Sequence, residues 1–245
     1  MNPALLLTAY QALTKGLLPG SDPLSAVLGL LADALHVLSP KVDPRPIAPL
    51  PAAGVKQRIA LCLGHARSGD EGAESAGGTS ERAFNQTIIL ALASRLRTAG
   101  IEVIPVLRYQ GSGYSSAMQW LAHSLLDSGA TAAIEFHFNA ADGHAAGHEF
   151  LYWANSKRGI TLAKDLSLAF DAEFTEGTNR GLKPISSADR GAAFLCLTHC
   201  PACIVEPFFG DNSQEWNLFN SPAGMDRLVR AYASAITNWI TSQVA

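Results

Sequence analysis

The chain has 245 residues, enough for one full catalytic domain plus a small addition. Hydrophobic residues at 48% and charged residues at 16% describe a globular chain that buries a core, and they exclude disordered or collagen-like composition. A formal net charge of −3 without clustered Lys and Arg argues against a nucleic-acid partner.

Residues Pro3 to Leu18 carry helical apolar spacing. Ser21-Asp22-Pro23 then reads as a cap with proline in the first turn of a second helix that ends near Leu38. The expectation is a short helical hairpin over 1–39. Its second helix repeats Leu24, Val27, Leu28, Leu31, Leu35 and Leu38, a stripe that needs a cover. Packing on the rest of the chain, self-association and contact with a membrane surface all remain open. The opening MNPALLLTAYQAL lacks a positive n-region and a small-residue cleavage site, so no signal peptide is expected. Neither apolar stretch reaches the ~20 residues a bilayer demands, and Pro19, Gly20, Asp22 and Pro23 separate them, so no transmembrane segment is expected either.

Prolines at 40, 44, 46, 49 and 51 remove backbone donors and fix φ, which predicts an extended linker over 40–56. From Gln57 onward strand-like and helix-like text alternates: RIALCLG, ERAFNQTIILALASRLRTAG, IEVIPVL, SSAMQWLAHSLLDSG and ATAAIEFHFNA. HEFLYWA, SKRGITLAKDLSLAFDAEF, PACIVEPF and a terminal helix from about Ser221 to Ser242 continue the pattern. That alternation predicts an α/β sheet, placing the catalytic domain at 57–245. Cys62, Cys196, Cys200 and Cys203 match no standard zinc-finger spacing. They read as small buried apolar side chains, with a disulfide or thiol switch as the alternative.

Ligands of open α/β sheets gather beyond the carboxyl ends of strands. RIALCLG runs into His65 and ACIV runs into Glu206. His137 ends AAIEFHF, with Glu135, His137 and Asn139 on one face. Glu81 falls in the first turn of a helix that Thr79 or Ser80 would cap. Two imidazoles and a carboxylate are a common ligand set of catalytic zinc, so three of these four residues can hold an ion while the fourth works as a base. Singly, each has an ordinary reading as a structural histidine or as a charge complementing a helix dipole.

Other polar residues are weaker candidates. Glu135 and Asn139 fit as hydrogen-bond partners of His137, although Glu135 also reads as a surface residue. Asp70 and Arg190 fit as substrate contacts or as loop stabilisers. His144 and His148 form H-x3-H, but Gly143 and Gly147 argue for a loop instead of a shared helix face. His199 is a candidate to assist an oxyanion, against a plain loop role, and His36 and His123 read as helix-surface residues.

Four segments occur in order: GHARSGDEGAES, ERAFNQTIILALASRLRTAGIEVIPVLR, EFHFNAADGHAAGHEFLYW and NRGLKPISSADRGAAFLCLTHCPACIVEPFFGDN. Together they resemble the zinc-dependent N-acetylmuramoyl-L-alanine amidases, the type 3 amidases of bacterial cell-wall turnover and phage lysis. The resemblance covers roughly Arg58 to the last helix. It implies a mixed, mainly parallel twisted sheet with helices on both faces, one zinc ion on His65, Glu81 and His137, and Glu206 as the catalytic glutamate. The implied reaction is hydrolysis of the amide joining the lactyl group of N-acetylmuramic acid to the L-alanine of the stem peptide. An enzyme of this kind, without a leader, would be made in the cytoplasm and act on the wall after release, as an endolysin does. Two departures stand out: Ala66, where the family usually has glycine, and the long Gly- and Ser-rich interval before Glu81. The competing readings are a zinc carboxypeptidase or other metallopeptidase acting on stem peptides, and a wall-binding module without turnover.

Overall fold

The computed structural model describes residues 57–243. The hairpin expected over 1–39 and the linker over 40–56 lie outside the described residues. Within them the order is β1 (Arg58–Leu63), α1 (Glu81–Thr98), β2 (Glu102–Val106), α2 (Tyr114–Asp127), β3 (Ala132–Phe136) and β4 (His148–Trp153). It continues with α3 (Lys157–Glu173), β5 (Asn179–Ile185), α4 (Ala192–Leu197), β6 (Ala202–Glu206), α5 (Ser213–Phe219) and α6 (Pro222–Ser242). The strands form one sheet in the order β2-β1-β3-β6-β4-β5. The first four run parallel; β4 is antiparallel to β6 and carries β5 parallel to itself. The expected mixed, mainly parallel α/β sheet is therefore present.

The central strands are buried on both faces, which is why RIALCL and AAIEF read as near-continuous apolar runs. Neighbouring residues of β3 point to opposite faces. Phe136 meets Tyr232 of α6 on one side, with ring centroids 5.0 Å apart. Glu135 shares the other side with its ladder partner Ile204, which lies against Gly191 at the start of α4. The helices divide accordingly: α1, α3 and α6 pack together, as do α2 and α4. Ser80, Ser156 and Ser221 each accept a backbone N–H at the start of α1, α3 and α6, and Pro222 occupies the first turn of α6. Among the described residues no helix is long and apolar enough to cross a membrane.

Three elements were not expected. β5 reads NRGLKPI, with only its last residue buried, so it lacks the apolar alternation that betrays a strand. An edge strand tolerates this, because its outer side owes no hydrogen bonds; Pro184 sits there, as Pro105 does on the opposite edge strand β2. α4 and α5 span only 6 and 7 residues, too short for a periodic signal. The cysteine reading also needs correction: Cys62 and Cys203 are buried, but Cys200 is only half-buried and Cys196 is exposed on α4, and all four thiols are free.

Candidate metal centre

The ladder aligns three neighbouring strand ends. Leu63 of β1 pairs with Phe136 of β3, and Phe136 pairs with Val205 of β6. The residues that follow therefore emerge side by side at one edge of the sheet: Gly64-His65, His137 and Glu206. Gly64 donates its N–H to the Phe136 carbonyl at 3.0 Å. A Cβ on Gly64 would lie 2.5 Å from that oxygen and 2.5 Å from Cε1 of His137, so only glycine lets the imidazole lie against the strand.

Glu81, the first residue of α1, is 4% exposed and joins the two histidines. Its Oε1 is 2.7 Å from His137 Nδ1 and its Oε2 is 3.2 Å from His65 Nε2. The far side of each ring is also held by a carboxylate: His65 Nδ1 lies 2.8 Å from Asp70 Oδ1, and His137 Nε2 lies 3.4 Å from Glu135 Oε2. Tyr109 donates its hydroxyl to Glu135 Oε1 at 3.1 Å. Each imidazole thus turns one nitrogen to Glu81 and has the other fixed, the arrangement that orients metal-binding histidines.

One ligand atom from each of His65, Glu81 and His137 lies within 4.8 Å of the others. A tetrahedral cation with bonds of ~2.1 Å places its ligand atoms ~3.4 Å apart, so small side-chain adjustments admit one. Such a cation would take the space between the imidazole nitrogens and Glu81 that hydrogen bonds bridge here. Burial pushes the Glu81 carboxyl up, but the hydrogen bonds from His137 and His65 outweigh it and bring it down to about 2. Burial lowers both histidines, yet Glu135 and Glu81 raise His137 well above its ordinary value, and Glu81 raises His65. A carboxylate ionised this firmly at a helix N-terminus is a strong anionic ligand.

Glu206 turns Oε2 inward, where it has no hydrogen-bond partner. Burial pushes its carboxyl up to about 8, opposed by His137 and reinforced by Glu81 and Glu149. The His137 N–H donates to the Val205 carbonyl at 3.1 Å, which places Glu206, the next residue, beside His137 without an ion pair of its own. A buried oxygen lacking a partner is a place for water or a polar substrate atom.

The remaining candidates divide. Asp70 lies against His65 and also accepts the N–H of Gly72 at 3.2 Å. Asn139 is not against His137; it donates to Glu149 Oε1 at 3.1 Å, and Glu149 stands opposite Glu206 in the β4–β6 ladder and binds Arg180. Arg190 is exposed in the turn before α4, where its charge acts on Tyr114. His199 precedes β6, at the opposite end of that strand from Glu206, which removes it from any oxyanion role. His144 is exposed while His148 is buried and faces Asp171 at 3.1 Å, so the two form no pair. His123 is an exposed helix residue bonded to the Gln119 carbonyl.

Several contributors were invisible in the sequence. The interval before Glu81 folds back as a strap: Ala73 donates to Glu81 Oε2, Glu81 donates its N–H to the Ala73 carbonyl, and Ala76 donates to the Gly210 carbonyl. Gly72 has φ +71, and a Cβ there would lie 2.6 Å from Glu81 Oε2. Ala66 is buried and accepts the N–H of Tyr109, so its methyl is accommodated. Tyr109 carried no signal beyond being a lone tyrosine after a strand.

A family model described as N-acetylmuramoyl-L-alanine amidase matches residues 59–238. Among solved structures, the CwlD amidase of Clostridioides difficile, in complex with the GerS lipoprotein, superposes with a TM-score of 0.67 at 20% identity, covering 76% of this chain and 99% of that one. The N-acetylmuramyl-L-alanine amidase of Mycobacterium smegmatis gives 0.64 at 19% identity, covering 76% and 98%. The catalytic domain of an endolysin targeting Clostridia difficile gives 0.58 at 23% identity, covering 71% and 94%. Among curated proteins no match is found.

Proposed function

The chain belongs to the N-acetylmuramoyl-L-alanine amidase family and is an enzyme of that class, and from that premise we propose that it cleaves the muramoyl–L-alanine amide of peptidoglycan with one zinc ion as cofactor. The observation that carries the zinc requirement is the convergence of His65 Nε2 and His137 Nδ1 on the two oxygens of buried Glu81. His65, Glu81 and His137 would hold the ion, which when bound would supply Lewis acidity and bring the ionisation of water toward neutral pH. Asp70 and Glu135 keep the two rings in the tautomers that present those nitrogens. Glu206 accepts the proton of the attacking water on its unpartnered oxygen and delivers it to the departing alanine nitrogen.

The setting we assign is phage lysis or cell-wall turnover, on the wall and outside the cytoplasm where the chain is made. Self-association through the Leu24 to Leu38 stripe belongs to the same reading; in the full chain, Leu28→Asp with Leu31→Asp should reduce the oligomer seen by light scattering.

The decisive experiment incubates the purified protein with peptidoglycan, with and without a chelator, and measures new L-alanine amino termini. Release that stops with chelator, returns with zinc and disappears in Glu206→Ala supports the proposal. Release that persists under both treatments rejects it. Cleavage between stem amino acids with the muramoyl amide intact identifies a peptidase, and muropeptide binding without hydrolysis identifies a wall-binding module.

A further inference from the structure

Beside the metal centre lies a groove of about 460 Å³, walled by the loop after His65, the residues after β2, Arg82 of α1 and Trp120 of α2. It shares residues with the site: Ala66 follows His65, and Tyr109 is the phenol that binds Glu135. Its volume is in the range of pockets that enclose a small ligand.

The lining is electrostatically one-sided. Arg82 and Arg108 contribute to it and no acidic residue does. Arg82 is committed to Glu71, with Nη1 2.9 Å from Oε1. Arg108 is exposed and, among the described residues, makes no hydrogen bond or ion pair. A planar guanidinium with its donors unclaimed matches a carboxylate, which accepts two parallel N–H bonds. Trp120, partly buried in the same lining, adds apolar surface for the chain that carries the charge.

We infer that this groove is a subsite for a free carboxylate of the stem peptide, received by Arg108, and that it selects peptides bearing that carboxylate over those in which it is a carboxamide. The inference rests on the amidase reading and adds the side of the substrate that the metal centre does not see. A carboxamide keeps the shape but loses the charge and one acceptor, while presenting N–H groups to a donor-only guanidinium.

The test uses the full-length, zinc-loaded protein and two synthetic muramoyl peptides that differ only in carboxylate or carboxamide at the second stem residue. The wild type should favour the carboxylate about tenfold in kcat/KM, mainly through KM, the size expected for one charge-assisted contact. Arg108→Ala should lower kcat/KM on the carboxylate peptide about tenfold and bring the two peptides level, and Arg108→Lys should restore part of the preference. Because Arg108 is exposed, the thermal melt of each variant should match the wild type. Equal rates on both peptides by the wild type, or a preference that survives Arg108→Ala, would overturn the subsite while leaving the amidase reading intact. Failure of the wild type to cleave either peptide would defeat the amidase reading, and the subsite with it.

Discussion

Replacing Glu206 by glutamine should stabilise the metal-free protein at alkaline pH while abolishing turnover. Burial moves its carboxyl from an ordinary 4.5 to about 8, so the folded state keeps a proton that the unfolded state releases. A group whose folded value is raised contributes its full stability below the unfolded value and loses it as pH climbs through the folded one. At about 1.36 kcal/mol per pH unit, that interval sets a ceiling of ~5 kcal/mol. Glu206 is only partly buried as a residue, and screening by water in the cleft reduces the expected loss to about 2–3 kcal/mol. The assay is urea unfolding of chelated wild type and Glu206→Gln at steps from about pH 5 to about pH 9. The variant's advantage should grow across that range; referencing each value to the acid end removes the cost of the amide's own unpaired group. Saturating zinc should shrink the gap, because a neighbouring cation favours the charged carboxylate. A difference that stays flat with pH would refute the argument from the buried carboxyl.

Gly64→Ala should destabilise the chelated protein by about 1–3 kcal/mol, the usual cost of overpacking. It should also weaken zinc binding in calorimetry, since the new methyl lands 2.7 Å from His137 Nδ1, the atom proposed to bind the ion; wild-type values in both measurements would contradict the close approach. Tyr109→Phe removes the hydroxyl from Glu135 and should lower zinc affinity about tenfold in a competition titration. Its ring stays buried, so the urea midpoint should move little; an unchanged affinity would mean that Glu135 needs no help to hold His137. Asp70→Asn should weaken zinc binding in the same titration, because an amide no longer enforces the His65 tautomer that offers Nε2 to the ion.

The fold was legible where burial wrote a period into the text. β1 and β3 are enclosed on both faces and show as unbroken apolar runs, and α1, α3 and α6 are long enough for their helical spacing to stand out. β5 escaped because an edge strand is selected for what it prevents, and Asn179, Arg180, Lys183 and Pro184 discourage pairing with another chain. α4 and α5 escaped because one or two turns leave no repeat to read.

The site was legible for a different reason. His65, His137 and Glu206 each follow an apolar run directly, so parallel neighbouring strands carry them to one edge without any help from the loops. Glu81 is different in kind, because its position depends on a helix start held by a strap that no local rule describes. That strap turns through a left-handed backbone at Gly72 and is fixed from outside itself by the Gly210 carbonyl that receives Ala76 and by Trp216, whose Nε1 would sit 2.1 Å from a Cβ on Gly77. The contacts join residues more than a hundred positions apart, which is why composition alone could call the interval flexible. Ring orientation was legible only in part: Glu135 was expected against His137 and lies there, whereas Asp70, read as a substrate contact or loop stabiliser, gave no sign that it faces His65 Nδ1. What the carboxylates hold in common is a geometry in which a proton and a divalent cation compete for the same space between imidazole and Glu81. Acid should therefore release the proposed zinc, followed by metal analysis, at a higher pH than the one at which circular dichroism shows the sheet unfolding, because the ligands must be deprotonated to hold it.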